Sequence, residues 1–257
     1  MKFKDHFSGH AVDYAKFRPR YPHELFQYLA AISPRRDLAW DCATGNGQAA
    51  IELVRYFRSV VATDASAQQI ENAEPHAQIS YRIAPAEASG IDSHSADLII
   101  VAQALHWFET DRFFPEAERV LKHDGVLAVS NYIHVKISPA IDSIIGRFYR
   151  DTTGPFWPPE RALVETDYQS ITFPFAELPS RRFEMSKQWN LKELAGYLRT
   201  WSAVQRFIAS RGIDPVDDLM KELELAWGNP EMPRQVVWPL NLRLFLKRVG
   251  VGRSVNP

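Results

Sequence analysis

Acidic residues and glycines surround the ends of two apolar runs near the start of the chain. Asp41 closes the first run, and Gly45 and Gly47 follow it. Glycines let a ligand approach the backbone of such a turn, because no Cβ stands in the way. Asp64 ends the second run, 17 residues after Gly47, where a carboxylate can accept hydrogen bonds from both hydroxyls of a ribose. The spacing indicates a ribose-containing ligand, with a plain strand–turn–helix corner as the alternative.

The same turn allows a second class of ligand. Residues 45–50 match the G-x-G-x-x-A fingerprint of dinucleotide-binding proteins. A dinucleotide places its pyrophosphate on the N-terminus of the helix that follows the turn, so a nicotinamide-dependent oxidoreductase stays open. Other chemistries find little support, because the sequence contains no HExxH, CxxC, G-x-S-x-G or P-loop pattern.

Alternating strand and helix patterns position these residues. Strands are predicted at 38–42, 59–63, 79–84, 96–102 and 126–133, with helices at 48–57, 66–73 and 113–121 between them. This order predicts βαβ units, a parallel sheet and right-handed crossovers. Ligands of such folds bind at the carboxyl ends of the strands, which is where the acidic residues and glycines lie.

The alternation stops after about Lys136. Further helices are predicted at 139–150, 191–200, 202–210 and 214–226, and further strands at 183–189 and 236–249. We therefore expect an α/β fold with a doubly wound, seven-stranded, mostly parallel sheet and a helical cap over the C-terminal edge of the strands. The expected organisation is one domain, 1–257, with four parts: a lid and first helix (1–35), a cofactor-binding core (36–135), substrate-covering helices with one strand (136–230), and a final strand and tail (231–257).

Four ordered motifs resemble those of class I S-adenosylmethionine-dependent methyltransferases. The matching stretches are residues 41–47 for the glycine motif, 63–66 for the acidic second motif, 86–87 with 97–108 for the third and fourth, and 119–127 for the helix–strand turn. The chain is also similar to the type 11 subgroup, which includes trans-aconitate methyltransferase-like and embryo-abundant-like proteins. That similarity lies at residues 14–22, 157–159, 201–205 and 227–228.

The resemblance implies a cofactor site for S-adenosylmethionine. Asp41, with the backbone of Ala43, Gly45 and Gly47, would hold the methionine end, and Asp64 would bind the ribose. The remaining implied contacts are Ala65, Ala86 and Glu87 around the adenine, Gln103 under the sulfonium, and Tyr14 and Arg18 closing over the cofactor.

Two departures from the family pattern affect this cofactor site. Ala43 stands where the motif usually has its first glycine, and Pro85 stands where an acidic residue often precedes the Ala-Glu pair. Both substitutions would affect how tightly the protein binds S-adenosylmethionine. A protein that binds S-adenosylmethionine without transferring its methyl group therefore remains an alternative.

The acceptor side is less defined by the sequence. His106 is the best-placed ionisable residue for a general base, although it could serve only to position its neighbours. Trp107, Trp157 and Trp201 could wall an acceptor pocket, and Arg199 could bind a carboxylate bidentately. We therefore expect a small-molecule acceptor, with a carboxylic acid as the favoured class.

Composition points to a globular protein with a small-molecule partner. The net charge is −1, whereas nucleic-acid binders usually carry a basic excess. The single cysteine, Cys42, fits a reducing compartment, and neither a signal peptide nor an apolar run long enough for a membrane span is recognisable. We expect a cytoplasmic monomer or homodimer without metal, nucleic-acid or membrane partners.

Overall fold

The computed structural model describes residues 17–247, and these form two compact units. The sheet unit comprises residues 23–131, 169–181 and 241–247. The helical unit comprises residues 17–22, 132–168 and 182–240. Each unit buries its own apolar residues, for example Trp40 and Leu98 in the sheet unit and Tyr197 and Trp238 in the helical unit.

The sheet unit alternates strands and helices as the sequence predicts. Its elements are α1 (His23–Ile32), β1 (Leu38–Cys42), α2 (Gln48–Leu53), β2 (Ser59–Asp64), α3 (Ala67–Glu71), β3 (Ile79–Ile83), β4 (Ala96–Ala102), α4 (Thr110–Val120), β5 (Leu121–Asn131) and β6 (Ala176–Leu178). A short 3₁₀ turn, Leu105–Trp107, follows β4.

The helical unit contains shorter and more varied elements. They are α5 (Pro139–Arg147), a π-helical turn (Phe148–Thr152), a 3₁₀ turn (Gly154–Phe156), α6 (Arg161–Glu165), β7 (Phe183–Trp189), α7 (Leu191–Arg199), α8 (Ser202–Arg211) and α9 (Pro215–Trp227). The last strand, β8 (Arg234–Leu246), begins in the helical unit and ends in the sheet unit.

The sheet is mixed, and most of it is parallel. Its order is β3-β2-β1-β4-β5-β8-β6, and β7 pairs with the first half of β8. The first five strands run parallel, whereas β6, β7 and β8 pair antiparallel. The predicted α/β fold is confirmed, but within residues 17–247 the sheet has eight strands rather than seven, because the three-residue strand β6 was too short to be recognised in the sequence.

Several predicted element bounds need correction. The helix predicted at 48–57 ends at Leu53, and the strand predicted at 126–133 begins five residues earlier, at Leu121. The helix predicted at 139–150 changes to a π turn after Arg147. The predicted cap over the strand ends and the single-domain organisation stay predictions.

A buried ion pair connects β1 and β4 near the amino ends of the two strands. Asp97 on β4 is fully buried, and its carboxylate accepts hydrogen bonds from the backbone N–H groups of Asp37 and Leu38, at 2.9 and 3.2 Å. Lys122 Nζ lies 2.9 Å from the same carboxylate. This anchors the start of β1 against β4, so that the opposite, carboxyl ends of both strands are held in register.

No helix within residues 17–247 combines the length and the apolar composition that crossing a membrane requires.

Candidate functional site

A tight turn of alternating left-handed residues connects β1 to α2. We call residues 43–47 the glycine turn. Ala43, Gly45 and Gly47 have φ values of 57°, 57° and 85°. Glycine adopts this conformation readily, whereas an L-residue such as Ala43 is disfavoured by roughly 1–2 kcal/mol. The turn therefore keeps the shape of a glycine-rich motif even where alanine has replaced the first glycine.

The carboxylate of Asp64 ties the end of β2 to this turn. Asp64 Oδ2 accepts a hydrogen bond from Gly45 N at 2.9 Å, and Oδ1 accepts one from Ser66 N at 2.9 Å. An ionised carboxylate only accepts hydrogen bonds and offers about four lone-pair positions, which makes this group chemically suited to ribose hydroxyls. Ser66 also caps the next helix, since its Oγ accepts from Gln69 N.

Asp41 organises the turn from the buried side. It is 1% exposed, and its carboxylate accepts a 2.5 Å hydrogen bond from Thr44 Oγ1 as well as one from the backbone of Ala50, in the first turn of α2. Burial is the main cause that raises the pKa of Asp41 to about 7, and the charge of Asp64 adds to it. A carboxylate whose ionised form is disfavoured in this way gains from a nearby cation.

Tyr81 closes the other side of the glycine turn. A Cβ built on Gly47 would come within 2.5 Å of Tyr81 Oη and 3.1 Å of the ring. The phenol donates to Glu74 O at 2.9 Å, and its pKa is raised to about 12 by burial and by the charges of Asp41 and Glu74. The space in front of Gly47 is therefore filled by a side chain from β3.

The loops after β2 and β3 hold the residues predicted to border the adenine, Ala65 after β2 and Ala86 with Glu87 after β3. Ala86 is buried and Ala65 is half-buried. Glu87 Oε1 accepts from the backbone N–H of Glu109 at 2.9 Å, immediately before α4. One carboxylate oxygen of Glu87 thus has a structural role at a helix N-terminus.

An ion pair on α4 supports the same loop. Glu116 Oε1 accepts hydrogen bonds from both Ser89 N and Ser89 Oγ, at 2.9 and 2.6 Å. Arg119 pairs with Glu116 and donates to Ile91 O at 2.7 Å. The hydrogen bond from Arg119 is the largest of the causes that lower the pKa of Glu116 to about 2, so this support remains charged over the physiological range.

The end of β4 carries the residues predicted to lie near the reacting group. Gln103 has a φ of 59°, and its N–H donates to Ser130 O at 2.8 Å. A non-glycine residue in this conformation costs energy, and such residues cluster at functional sites. His106 is 9% exposed in the 3₁₀ turn, with its ring centroid 4.6 Å from that of Trp107.

Arg18 belongs to the helical unit. Its guanidinium donates to Tyr132 Oη at 3.1 Å and Thr200 O at 3.3 Å, and it lies 5.5 Å from the ring centroid of Tyr197. Its predicted contact with the cofactor stays a prediction, and Tyr14 lies outside the described residues.

Two of the predicted acceptor residues meet in an aromatic cluster of the helical unit. The ring centroids of Trp157 and Trp201 are 5.7 Å apart, and Tyr149 lies 4.9 Å from Trp157 and 5.8 Å from Trp201. We call Tyr149, Trp157 and Trp201 the aromatic cluster. Tyr149 comes from the π-helical turn, and π turns occur frequently at functional sites.

Arg199 is already paired within the protein. Its guanidinium contacts Asp214 at 2.5 Å and Asp217 at 2.8 Å. Two carboxylates of the protein therefore already bind the guanidinium that was expected to bind the carboxylate of an acceptor.

Sequence reasoning missed Tyr81 and Arg161. Asp41 on β1 pairs with Ala62 on β2, and Ala62 pairs with Tyr81 on β3, so the three side chains share one face of the sheet. A register argument could have found Tyr81. Arg161, which lies beside the aromatic cluster, sits in a Pro-rich segment without periodicity, and no sequence signal separated it from a surface arginine.

Comparisons with known proteins show which proteins this chain resembles. A family model for a methyltransferase domain matches residues 40–129. A protein of Dictyostelium discoideum that is named as a methyltransferase is 34% identical over 230 residues, which is 88% of each chain. A solved methyltransferase structure from Anaeromyxobacter dehalogenans has a TM-score of 0.86 and 40% identity, and the match covers 90% of this chain and 99% of that one.

A shorter match names the cofactor of a relative. A Saccharomyces cerevisiae protein named as an S-adenosylmethionine-dependent methyltransferase is 31% identical over 133 residues, which is 48% of this chain and 45% of that protein. The similarity to the trans-aconitate subgroup stays a prediction. With the glycine turn, the Asp64 contact and these relatives together, the chain belongs to the class I methyltransferases of type 11.

Proposed function

We propose that the protein transfers a methyl group from S-adenosylmethionine to a small-molecule acceptor. The observation that carries this proposal is the position of the Asp64 carboxylate, which contacts Gly45 N and Ser66 N at the end of β2. It is the acceptor that two ribose hydroxyls require, and it lies beside a turn with left-handed backbone at Ala43, Gly45 and Gly47.

The other residues that were predicted to contact the cofactor also suit S-adenosylmethionine. Asp41 is buried next to the turn, where its negative charge favours the ammonium group of the methionine moiety. Asp64 would hold the ribose, and Ala65, Ala86 and Glu87 would border the adenine. When bound, S-adenosylmethionine supplies a methyl group that its sulfonium already activates.

The dinucleotide alternative is disfavoured by Tyr81. In the dinucleotide fingerprint the second glycine is required because the pyrophosphate approaches the backbone there. Here that glycine is Gly47, and the Tyr81 phenol already lies in the space where its Cβ would be. S-adenosylmethionine has no phosphate, so it does not need this space.

The protein's own work would be to align the acceptor and to exclude water. A carboxylate acceptor is ionised at neutral pH and needs no base. A hydroxyl or amine acceptor would need one, and we propose His106 for that role, with Trp107 beside it. We further propose that the protein acts in the cytoplasm as a monomer or homodimer, without a nucleic-acid or membrane partner.

The first test is calorimetric binding of S-adenosylmethionine and S-adenosylhomocysteine to the wild type, Asp64→Asn and Asp64→Ala. We expect at least about a tenfold loss of affinity in both variants, since hydrogen bonds to a charged group contribute roughly 1.5–3 kcal/mol. Asp111→Ala, which removes an exposed acid of α4, is the matched control and should bind normally. Absence of binding by the wild type would contradict the proposal.

Binding alone does not demonstrate methyl transfer. A panel of small acids, phenols and amines should therefore be incubated with cofactor radiolabelled in its methyl group. Label transferred to an acceptor supports the enzyme, whereas tight binding without turnover across the panel would favour a non-catalytic cofactor-binding protein.

A further inference from the structure

Among residues 17–247, the guanidinium of Arg161 has no carboxylate partner. Its Nε donates to Tyr149 Oη at 2.9 Å, but within residues 17–247 its two terminal nitrogens have no hydrogen-bond acceptor and no carboxylate within 4.0 Å. Two other arginines of the helical unit are paired, Arg147 with Glu222 at 2.7 Å and Arg199 with two aspartates.

The guanidinium is nevertheless held in place. Its Cζ lies 4.7 Å from the ring centroid of Trp157 and 5.6 Å from that of Tyr149. Tyr149 is fixed in turn, because its hydroxyl donates to Glu165 while it accepts from Arg161. An arginine with one edge bonded and one face on an aromatic ring is pre-organised, and its other edge is available for a bidentate partner.

The surroundings of Arg161 favour an anion. Next to the aromatic cluster, the ring centroid of His134 lies 5.0 Å from that of Tyr149. Burial chiefly lowers the pKa of His134, and the charges of Arg161, Lys136 and Arg150 lower it further, against a single opposing carboxylate, Glu165. Among the charges that act on His134, the positive ones therefore outnumber the negative ones.

A second donor in the cluster is also unsatisfied. Trp157 Nε1 is buried and has no acceptor among the residues that the structure describes. An indole N–H without a partner costs roughly 1–3 kcal/mol, and the cost is recovered when an oxygen binds there. Within residues 17–247, the indole N–H of Trp157 and the two terminal nitrogens of Arg161 therefore have no acceptor.

We propose that Arg161 and the aromatic cluster form a carboxylate-binding site for an acceptor with a flat, unsaturated body. The assignment to the acceptor rests on the proposed methyl transfer. Arg161 would bind the carboxylate through its two terminal nitrogens. The rings of Trp157 and Trp201 would pack against the flat part of the acceptor. A bidentate contact fixes the orientation of the carboxylate, so this group would serve for recognition and the methyl group would go to another atom of the acceptor.

The test compares acids with their uncharged amides. The probes are cinnamate with cinnamamide, phenylacetate with phenylacetamide, and fumarate with fumaramide, measured by calorimetry on the full chain. The proteins are the wild type, Arg161→Met, Arg161→Lys and the control Arg211→Met, which removes an exposed arginine of the same unit. Thermal melting confirms that each variant is folded, and binding of S-adenosylmethionine is measured on every variant.

We expect at least one acid to bind the wild type and Arg211→Met more tightly than its amide. Arg161→Met should lose about tenfold or more in affinity for that acid, as expected for a charge-assisted bidentate contact. Arg161→Lys should recover only part of it, because lysine cannot form the bidentate contact. Binding of S-adenosylmethionine should stay unchanged in both variants.

Three outcomes would overturn the site. They are an acid affinity in Arg161→Met within twofold of the wild type, amides that bind as well as acids, and no binding of any acid to the wild type. The proposed function fails separately, if the wild type does not bind S-adenosylmethionine while the acids still bind in an Arg161-dependent way.

Discussion

Ala43 occupies a backbone conformation that its own side chain disfavours. With a φ of 57° it keeps the turn shape that glycine would adopt at lower cost. Ala43, which stands where the family motif has its first glycine, is therefore strained. This strain lies in the segment that is expected to face the cofactor.

Ala43→Gly should therefore stabilise the protein. We expect the free energy of unfolding in urea to rise by up to about 1 kcal/mol, since relief of the left-handed strain exceeds the entropy that glycine adds to the unfolded chain. Ala88→Gly is the control, because Ala88 is exposed and does not have a positive φ; it should be neutral or destabilising. Equal effects of the two substitutions would mean that Ala43 is not strained.

Asp41 should give the stability of the unliganded protein a distinctive pH dependence. A carboxyl group with a folded pKa of about 7 and an unfolded value of 3.8 binds its proton more tightly when folded. Its contribution to stability is therefore fully present below pH 3.8 and is lost as the pH rises to about 7. Above that pH the buried charge destabilises the fold by a few kcal/mol, at about 1.4 kcal/mol per pH unit.

Asp41→Asn should flatten that dependence. Urea unfolding between pH 5 and 8 should show the wild type losing stability with rising pH, while the variant loses less and is the more stable of the two at pH 8. The same variant should bind S-adenosylmethionine more weakly at pH 8, because the charge that favours the ammonium is gone. A wild-type profile that rises from pH 5 to 8 in parallel with that of the variant would contradict the assignment.

At the scale of elements, the contact between β3 and the N-terminus of α2 shapes the turn. Tyr81 on β3 fills the position where a Cβ on Gly47 would lie, at 2.5 Å from its hydroxyl. The two residues should therefore be energetically coupled, although 34 residues separate them in the sequence.

A double-mutant cycle measures this coupling. Gly47→Ala should destabilise the wild type through both left-handed strain and overlap with Tyr81, whereas in a Tyr81→Ala background only the strain remains. We expect a coupling energy of about 1–3 kcal/mol, the usual cost of overpacking. Gly90→Ala is the control: Gly90 also has a positive φ, at 67°, but a Cβ there would meet nothing within 4 Å. Equal costs of Gly47→Ala in both backgrounds would exclude the contact.

The elements differ in how well the sequence predicted them. β1, β4 and β7 have the predicted bounds, because each is an apolar or regularly alternating run between clear turn signals. β6 was missed, since three residues carry no periodicity. The glycine turn and Asp64 were predictable from local spacing, whereas the ion pairs of Arg199 and the stacking of Arg161 depend on residues brought together only by folding.

At the scale of the whole molecule, the two proposed ligands fall in different units. The cofactor residues from Asp41 to Gln103 lie in the sheet unit, and Arg161 with the aromatic cluster lies in the helical unit. Each ligand should therefore stabilise its own stretch of chain. A ligand at a hundred times its dissociation constant adds about 2.7 kcal/mol to the stability of the state that binds it.

Hydrogen exchange followed by mass spectrometry can separate these two effects. S-adenosylmethionine should slow exchange in residues 41–47 and 64–66, because the amides of the glycine turn open only when the ligand leaves. An acid probe such as cinnamate should slow exchange in residues 148–165. Asp64→Asn should weaken the first effect and keep the second, and Arg161→Met should do the reverse. If either variant removed both effects, or if S-adenosylmethionine protected no part of residues 41–66, the assignment of the two ligands to separate units would be wrong.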